Sequence, residues 1–320
     1  MVTTAAPKKT KLIRFGHSPD PDDAFMFYAF AKKKIPMKGF QVEHVIEDIQ
    51  TLNQRALREG EFENVGPLEV TAVSCHAYAL LADEYAVMSC GASVGDKYGP
   101  ILVSPKKGSP KIAANPSDDL VAETVPKKGD RLQKVFPAMF KGKRIAVPGK
   151  LTTAYLVLQL YAQDFIPVFT PFDKIFDAVK TGKADFGLVI HEGQITWAEK
   201  GLVNLVDLGK WWYAKYKLPL PLGVDVIRRD LGQKVMKDFT RLFKASIVYA
   251  LKNRKPALQY ALQYGRGIKE NLNDQFVAMY VNDYTVNLGK KGILGFKKLL
   301  DEGFKHGILP QKIKLDFVQA

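Results

Sequence analysis

The stretch Pro219-Leu-Pro-Leu-Gly223-Val-Asp-Val-Ile227 decides the architecture, because it reads as an extended, β-branched strand that returns from one α/β unit to an earlier one. Immediately before it lies a self-contained unit. Arg144-Ile-Ala-Val-Pro148 is a strand, Thr152 to Gln163 and Ile175 to Thr181 are helices, and Ala184 to His191 and Leu202 to Leu208 are strands. Further upstream the same alternation occurs. Leu12 to Gly16 and Gln41 to Glu47 are strands, followed by helices from about Asp22 to Lys34 and from about Thr51 to Glu59. Val70 to Ser74 and Tyr85 to Cys90 are further strands around a short helix, His76 to Asp83, and Gly99-Pro-Ile-Leu-Val-Ser104 leads out. From Lys234 onward the chain is helical, with apolar spacing in Phe239, Leu242, Phe243, Ile247 and Leu251. Strands alternating with helices make an α/β protein. One connection out near Val103 and one back near Gly223 predict two lobes, 1–103 with 224–320 and 104–223, joined by a two-strand hinge around a cleft. This is the topology of the bilobal solute-binding fold.

The 320 residues suit two domains, and 47% apolar with 25% charged residues is the balance of a soluble globular chain. Met1 to Lys11 holds no apolar core for a signal peptide, and no run approaches the ~18 apolar residues of a membrane span. A cytoplasmic protein with no membrane partner is expected. The formal charge of +14 raises the question of nucleic acid. Ten Lys or Arg against four Asp or Glu fall between Ser104 and Arg144, amid five prolines and three glycines, which marks a basic insertion at about 105–142. Without a helix-turn-helix, an RNP-type aromatic strand or zinc-finger spacing, the charge reads as a solvated surface, and no nucleic-acid partner is expected. Cys75 and Cys90 sit in apolar segments as small buried thiols.

Chemistry concentrates where strands end. His191 closes the apolar run Ala184-Asp-Phe-Gly-Leu-Val-Ile-His191 before Glu192 and Gly193. In open α/β sheets ligands bind beyond the carboxyl ends of strands, and an imidazole there can take and return a proton near neutrality. A backbone cap is the alternative role. The loop Gly16-His17-Ser18-Pro-Asp20-Pro21-Asp22-Asp23 also follows a strand and opens a helix. Asp20 fits an N-cap, Pro21 the first helical position and Asp23 the first turn, with Ser18 the direct ligand contact. Gly149-Lys-Leu-Thr152-Thr153 repeats that geometry without acids and suits a carboxylate or phosphate, although it lacks nucleotide P-loop spacing. Cys90-Gly91-Ala-Ser93 allows close approach of a ligand, whereas adjacent Cys75 and His76 seldom face each other. No Cys/His cluster has metal-ligand spacing and no Gly-x-Ser-x-Gly elbow occurs.

Six motifs in order then resemble one family: HSPDPDDAFMFYAF at His17 to Phe30, EDIQTLNQRAL at Glu47 to Leu57, SCHAYALLADEYAVMSCGASVG at Ser74 to Gly95, VPGKLTTAYLVLQLYAQDF at Val147 to Phe165, LVIHEGQ at Leu188 to Gln194, and LVDLGKWW with LPLPLG at Leu205 to Gly223. They are similar to 1,4-dihydroxy-6-naphthoate synthases of the futalosine route to menaquinone. The resemblance implies the bilobal periplasmic-binding-protein-like (type II) fold and a lyase that cleaves a carbon–carbon bond of cyclic dehypoxanthine futalosine without a cofactor or metal. It implies His191 as the catalytic base, and Ser18, Ser74, Thr152 and Thr153 as cleft positions; Asp22 and Ser93 complete the candidate set for a small carboxylate substrate. Two positions depart from the family pattern, Asp22 where Asn is usual and Ala72 where Lys is usual. Both make the cleft less welcoming to an anion. A chorismate dehydratase-like paralogue and a non-catalytic small-anion-binding protein remain alternatives.

Overall fold

The computed structural model describes residues 10–106, 137–265 and 269–320, so most of the basic insertion lies outside the described residues. Two mixed sheets form, as the bilobal α/β fold requires. With strands numbered along the chain, the first sheet has the order β12 (Phe317–Val318), β4 (Tyr85–Met88), β11 (Leu220–Arg228), β3 (Val70–Ser74), β1 (Lys11–His17) and β2 (Phe40–Ile46), with β5 (Ser93–Gly95) paired to β11. The second has the order β10 (Leu202–Asp207), β6 (Ile101–Pro105), β9 (Phe186–Val189), β7 (Arg144–Val147) and β8 (Ile166–Phe169). β1 runs parallel to β2 and β3, and β7 runs parallel to β8 and β9. β11 is antiparallel to β3 and β4, while β6 is antiparallel to β9 and β10.

Sheet membership places both crossings slightly earlier than the sequence suggests. Ile101–Pro105 is an inner strand of the second sheet, and β11 rejoins the first sheet at Leu220. The two crossing segments lie against each other, with the Leu208 N–H donating to the Pro100 carbonyl at 2.9 Å. Gly209 is required there, since a Cβ would stand 2.0 Å from the Tyr98 carbonyl carbon. The hinge is therefore a backbone-to-backbone contact that a side chain would pry open.

Among the helices, α1 (Pro21–Ala31) is buried from Pro21 to Phe30, because it lies between its sheet and the later helices α8 (Gln233–Lys252) and α9 (Arg254–Leu262). Its sequence is apolar almost all round for that reason. Phe27 meets Phe15 of β1 edge-on at 4.6 Å, and Phe243 of α8 closes on Phe15 at 4.9 Å. This aromatic packing anchors the start of α1 against the first sheet. Further helices include α2 (Ile49–Leu57), α3 (Cys75–Leu81), α4 (Thr153–Tyr161), α5 (Ile175–Lys180), α6 (Gly193–Thr196), α7 (Leu208–Tyr216) and α10 (Glu270–Tyr280). Among the described residues, no helix is long and apolar enough to cross a membrane.

Candidate active site

Residues that end or follow β1, β3, β7 and β9 line one cavity of about 110 Å³. Ser18, Asp22, Ser74, Ser93, Thr152, Thr153 and His191 all lie on its wall. The structure thus brings these seven sequence candidates onto one wall.

Its centre is a pair that bridges the sheets. His191 Nδ1 lies 2.5 Å from Asp20 Oδ2, and both side chains are largely buried. Each residue gives up something local to reach the other. Asp20 occupies the N-cap of α1 with extended backbone, yet its carboxylate makes no capping hydrogen bond, forgoing about 1 kcal/mol of helix stabilisation. His191 adopts a left-handed backbone with φ of +58°, a conformation that costs a non-glycine residue roughly 1 to 2 kcal/mol. That turn swings the imidazole off the end of β9, where the Phe172 ring meets it edge-on at 4.6 Å. Local costs tolerated at one spot are the mark of a functional constraint.

The loop around Asp20 is tightly tied. The Ser18 hydroxyl donates to Asp20 Oδ2 at 2.8 Å, and the Ser18 backbone N–H donates to Asp23 Oδ2 at 2.7 Å. Burial, reinforced by the neighbouring carboxylates, raises Asp22 well above the usual carboxyl range and raises Asp23 to about 6. Burial therefore favours the neutral form of Asp22, which is similar in shape and charge to the Asn expected of the family. In that form it lessens the repulsion expected between Asp22 and a carboxylate ligand. Asp225 of β11 is likewise buried and raised well above its usual range, first by desolvation and then by Asp23.

Hydroxyl groups in the second lobe are largely committed to the backbone. Thr152 caps α4 by accepting from the Tyr155 N–H at 3.2 Å, and it donates to the Gly149 carbonyl at 2.8 Å. Thr153 donates to the Leu222 carbonyl at 2.5 Å and accepts from the His76 N–H at 3.3 Å. At the mouth of α3, Ser74 Oγ accepts from the Asn53 amide at 3.0 Å, so its own proton is available for another acceptor.

Other sequence candidates fall elsewhere. His17 stacks on Phe27 at 4.1 Å, bonds His44 at 3.1 Å and is lowered to about 3 by burial, so it is a core histidine outside the cavity wall. Cys75 is a buried thiol pushed up by desolvation, which rules out a ready nucleophile beside His76. Three polar wall residues escaped the sequence reading: Asp225, Gln194 and Tyr280. Tyr280 of α10 donates to Gln194 Oε1 of α6 at 2.5 Å, a second link between the first-sheet side and the His191 turn. A lone Asp in the apolar strand Leu220–Ile227 was a legible signal, whereas a pairing between remote helices leaves none.

Comparison with known proteins gives a consistent result. A family model described as menaquinone biosynthesis matches residues 13–305. A 1,4-dihydroxy-6-naphthoate synthase of Thermus thermophilus is 34% identical over 296 residues, covering 92% of this chain and 95% of that protein. One from Streptomyces coelicolor is 29% identical, covering 93% and 95%. Among solved structures, a protein of Archaeoglobus fulgidus aligns with a TM-score of 0.78 and 44% identity over 93% of this chain and 98% of that one. An alkanesulfonate-binding protein of Xanthomonas axonopodis bound to MOPS shares the fold, with a TM-score of 0.64 and 13% identity over 99% and 100% of the two chains.

Proposed function

The chain belongs to the menaquinone biosynthesis family, and from that premise we propose that it is a carbon–carbon lyase converting cyclic dehypoxanthine futalosine to 1,4-dihydroxy-6-naphthoate, with His191 as general base. The observation that carries this reading is the Asp20–His191 contact inside the cavity. An Nδ1–H donated to Asp20 fixes the tautomer and makes Nε2 the basic nitrogen, and the carboxylate stabilises the imidazolium that forms once a proton is taken. The proton comes from a sugar hydroxyl of the substrate or from an adjacent C–H.

The substrate carboxylate belongs at the start of α4, where Thr153 and Ala154 line the cavity. Backbone N–H groups in the first helical turn lack intrahelical acceptors and attract anions. In this reading the amides hold the carboxylate, and the two threonine hydroxyls shape the turn that presents them. Burial that favours the neutral forms of Asp22 and Asp225, with Asp20 matched by His191 on proton uptake, lessens the repulsion of an anionic ligand and leaves Asp23 as the remaining acid of the wall. Closure of the lobes 1–103 with 224–320 and 104–223 about the hinge would exclude water and orient the bond to be broken. Incubating the purified protein with cyclic dehypoxanthine futalosine and following the naphthoate by chromatography tests the proposal. Accumulation at a rate proportional to enzyme supports it, and recovery of unchanged substrate rejects it.

A further inference from the structure

Asp225 is the buried acid that the proposed chemistry does not use. It is 3% exposed, lines the cavity floor, and its Oδ2 has no hydrogen-bond partner among the described residues. The backbone has been shaped to admit it. Gly91 has φ of +91°, and a Cβ there would stand 1.9 Å from Asp225 Oδ2 and 2.6 Å from the Phe243 ring. Across the strand, the register partner is Ala72, which brings no cation and no donor. The titratable groups that face it are Asp23 of α1 and the Cys90 thiol, with Lys244 of α8 lying toward Cys90. None of these ion-pairs or hydrogen-bonds with the carboxyl among the described residues.

An ionised carboxylate left unpaired in such a place costs several kcal/mol, and protonation is the cheapest relief. We propose that Asp225 serves as an un-ionised carboxylic acid that binds a hydroxyl group of the ligand, donating from its O–H and accepting at its C=O. A hydroxyl is the group that fits, because it accepts and donates at once, as the two oxygens of a neutral acid do. A ligand carboxylate or ammonium would satisfy only half of the pair. The inference rests on the cavity being the substrate site and makes Asp225 a specificity-determining residue for a polyhydroxylated substrate. The raised ionisation of Asp225 by desolvation agrees with it.

The test compares Asp225→Asn, which is always neutral and keeps one donor and one acceptor, with Asp225→Leu, which has neither; Asp225→Ala replaces the latter if leucine does not fold. With cyclic dehypoxanthine futalosine, Asp225→Asn should keep KM within about threefold, while Asp225→Leu should raise it roughly tenfold or more at unchanged Tm. The wild-type KM should climb at alkaline pH as Asp225 ionises, and that climb should vanish in Asp225→Asn. Infrared difference spectra of wild type minus Asp225→Asn, without ligand at neutral pH, should show a protonated carboxyl band. An unchanged KM in Asp225→Leu, equal loss in both variants, or absence of that band overturns the inference. A wild type inert toward the substrate overturns the proposed function instead, and the ligand-free band still decides the protonation state of Asp225.

Discussion

Replacing Asp20 by Asn isolates the contribution of the carboxylate to the base. Asp20 Oδ2 accepts from both His191 Nδ1 and the Ser18 hydroxyl. When His191 takes a proton, the two charge centres stand about 4 Å apart, worth about 4 kcal/mol at an effective dielectric near 20. An Asn carbonyl still accepts the Nδ1 proton and returns about 1 kcal/mol. Asp22 and Asp23, both raised in part by Asp20, ionise more readily in its absence and feel His191 themselves, returning a further fraction. The balance of about 3 kcal/mol corresponds to a fall in kcat of about 10²-fold. If the Asn amide turns its NH₂ toward the ring, the wrong tautomer is selected and the loss is larger. KM should move only a few-fold, since the hydroxyl and amide groups that line the cavity are unchanged. The fold should survive, because Asp20 caps no helix with its side chain. Steady-state kinetics on cyclic dehypoxanthine futalosine between pH 5.5 and pH 9 measures this. A kcat within threefold of wild type would refute the role given to Asp20.

The departures from the family pattern give a second prediction: Asp22→Asn should change KM less than about threefold, because burial among acids already favours the neutral form of Asp22, and added Ala72→Lys should bring little gain because its ammonium would favour ionised Asp225 across the strand. Competitive binding of the substrate to both variants measures this, and a tenfold tightening would show that Asp22 is charged in the wild type. His17 supplies a stability test. Its folded value near 3 lies below the ordinary 6.5, so the folded state binds fewer protons and stability present above pH 6.5 is lost as pH falls toward 3. At pH 5 the loss from this residue should be about 2 kcal/mol relative to pH 7.5, and urea midpoints of His17→Phe should lack it.

What the sequence made legible follows the range of the forces involved. The end of an apolar strand and a glycine turn marked His191, and Pro21 marked the start of α1, because both signals are local. Asp20 took its expected position and an unexpected partner. A side chain at an N-cap normally turns to its own helix, and only the docking of the two lobes makes His191 a better donor for it than the helix N–H groups. β8 escaped because it is an exposed edge strand carrying Pro167, with Ile166 and Phe169 half exposed, so neither alternation nor a buried run distinguishes it. Asp225 and Ala72 lie far apart in the chain and become neighbours only through the β3–β11 register. The pull of Asp22 toward its neutral form was hidden for the same reason, since a formal charge ignores burial among other acids.

The central claim is that His191 is the proton-taking group of a lyase, and His191→Asn compared with wild type on the authentic substrate tests it most directly. Single-turnover formation of 1,4-dihydroxy-6-naphthoate should be fast for the wild type and slower by about 10²-fold or more for the variant, while binding of the substrate stays within a few-fold. The wild-type rate should also follow the titration of one base that is missing from the variant's residual rate. A His191→Asn protein that retains most of the wild-type turnover would contradict the account.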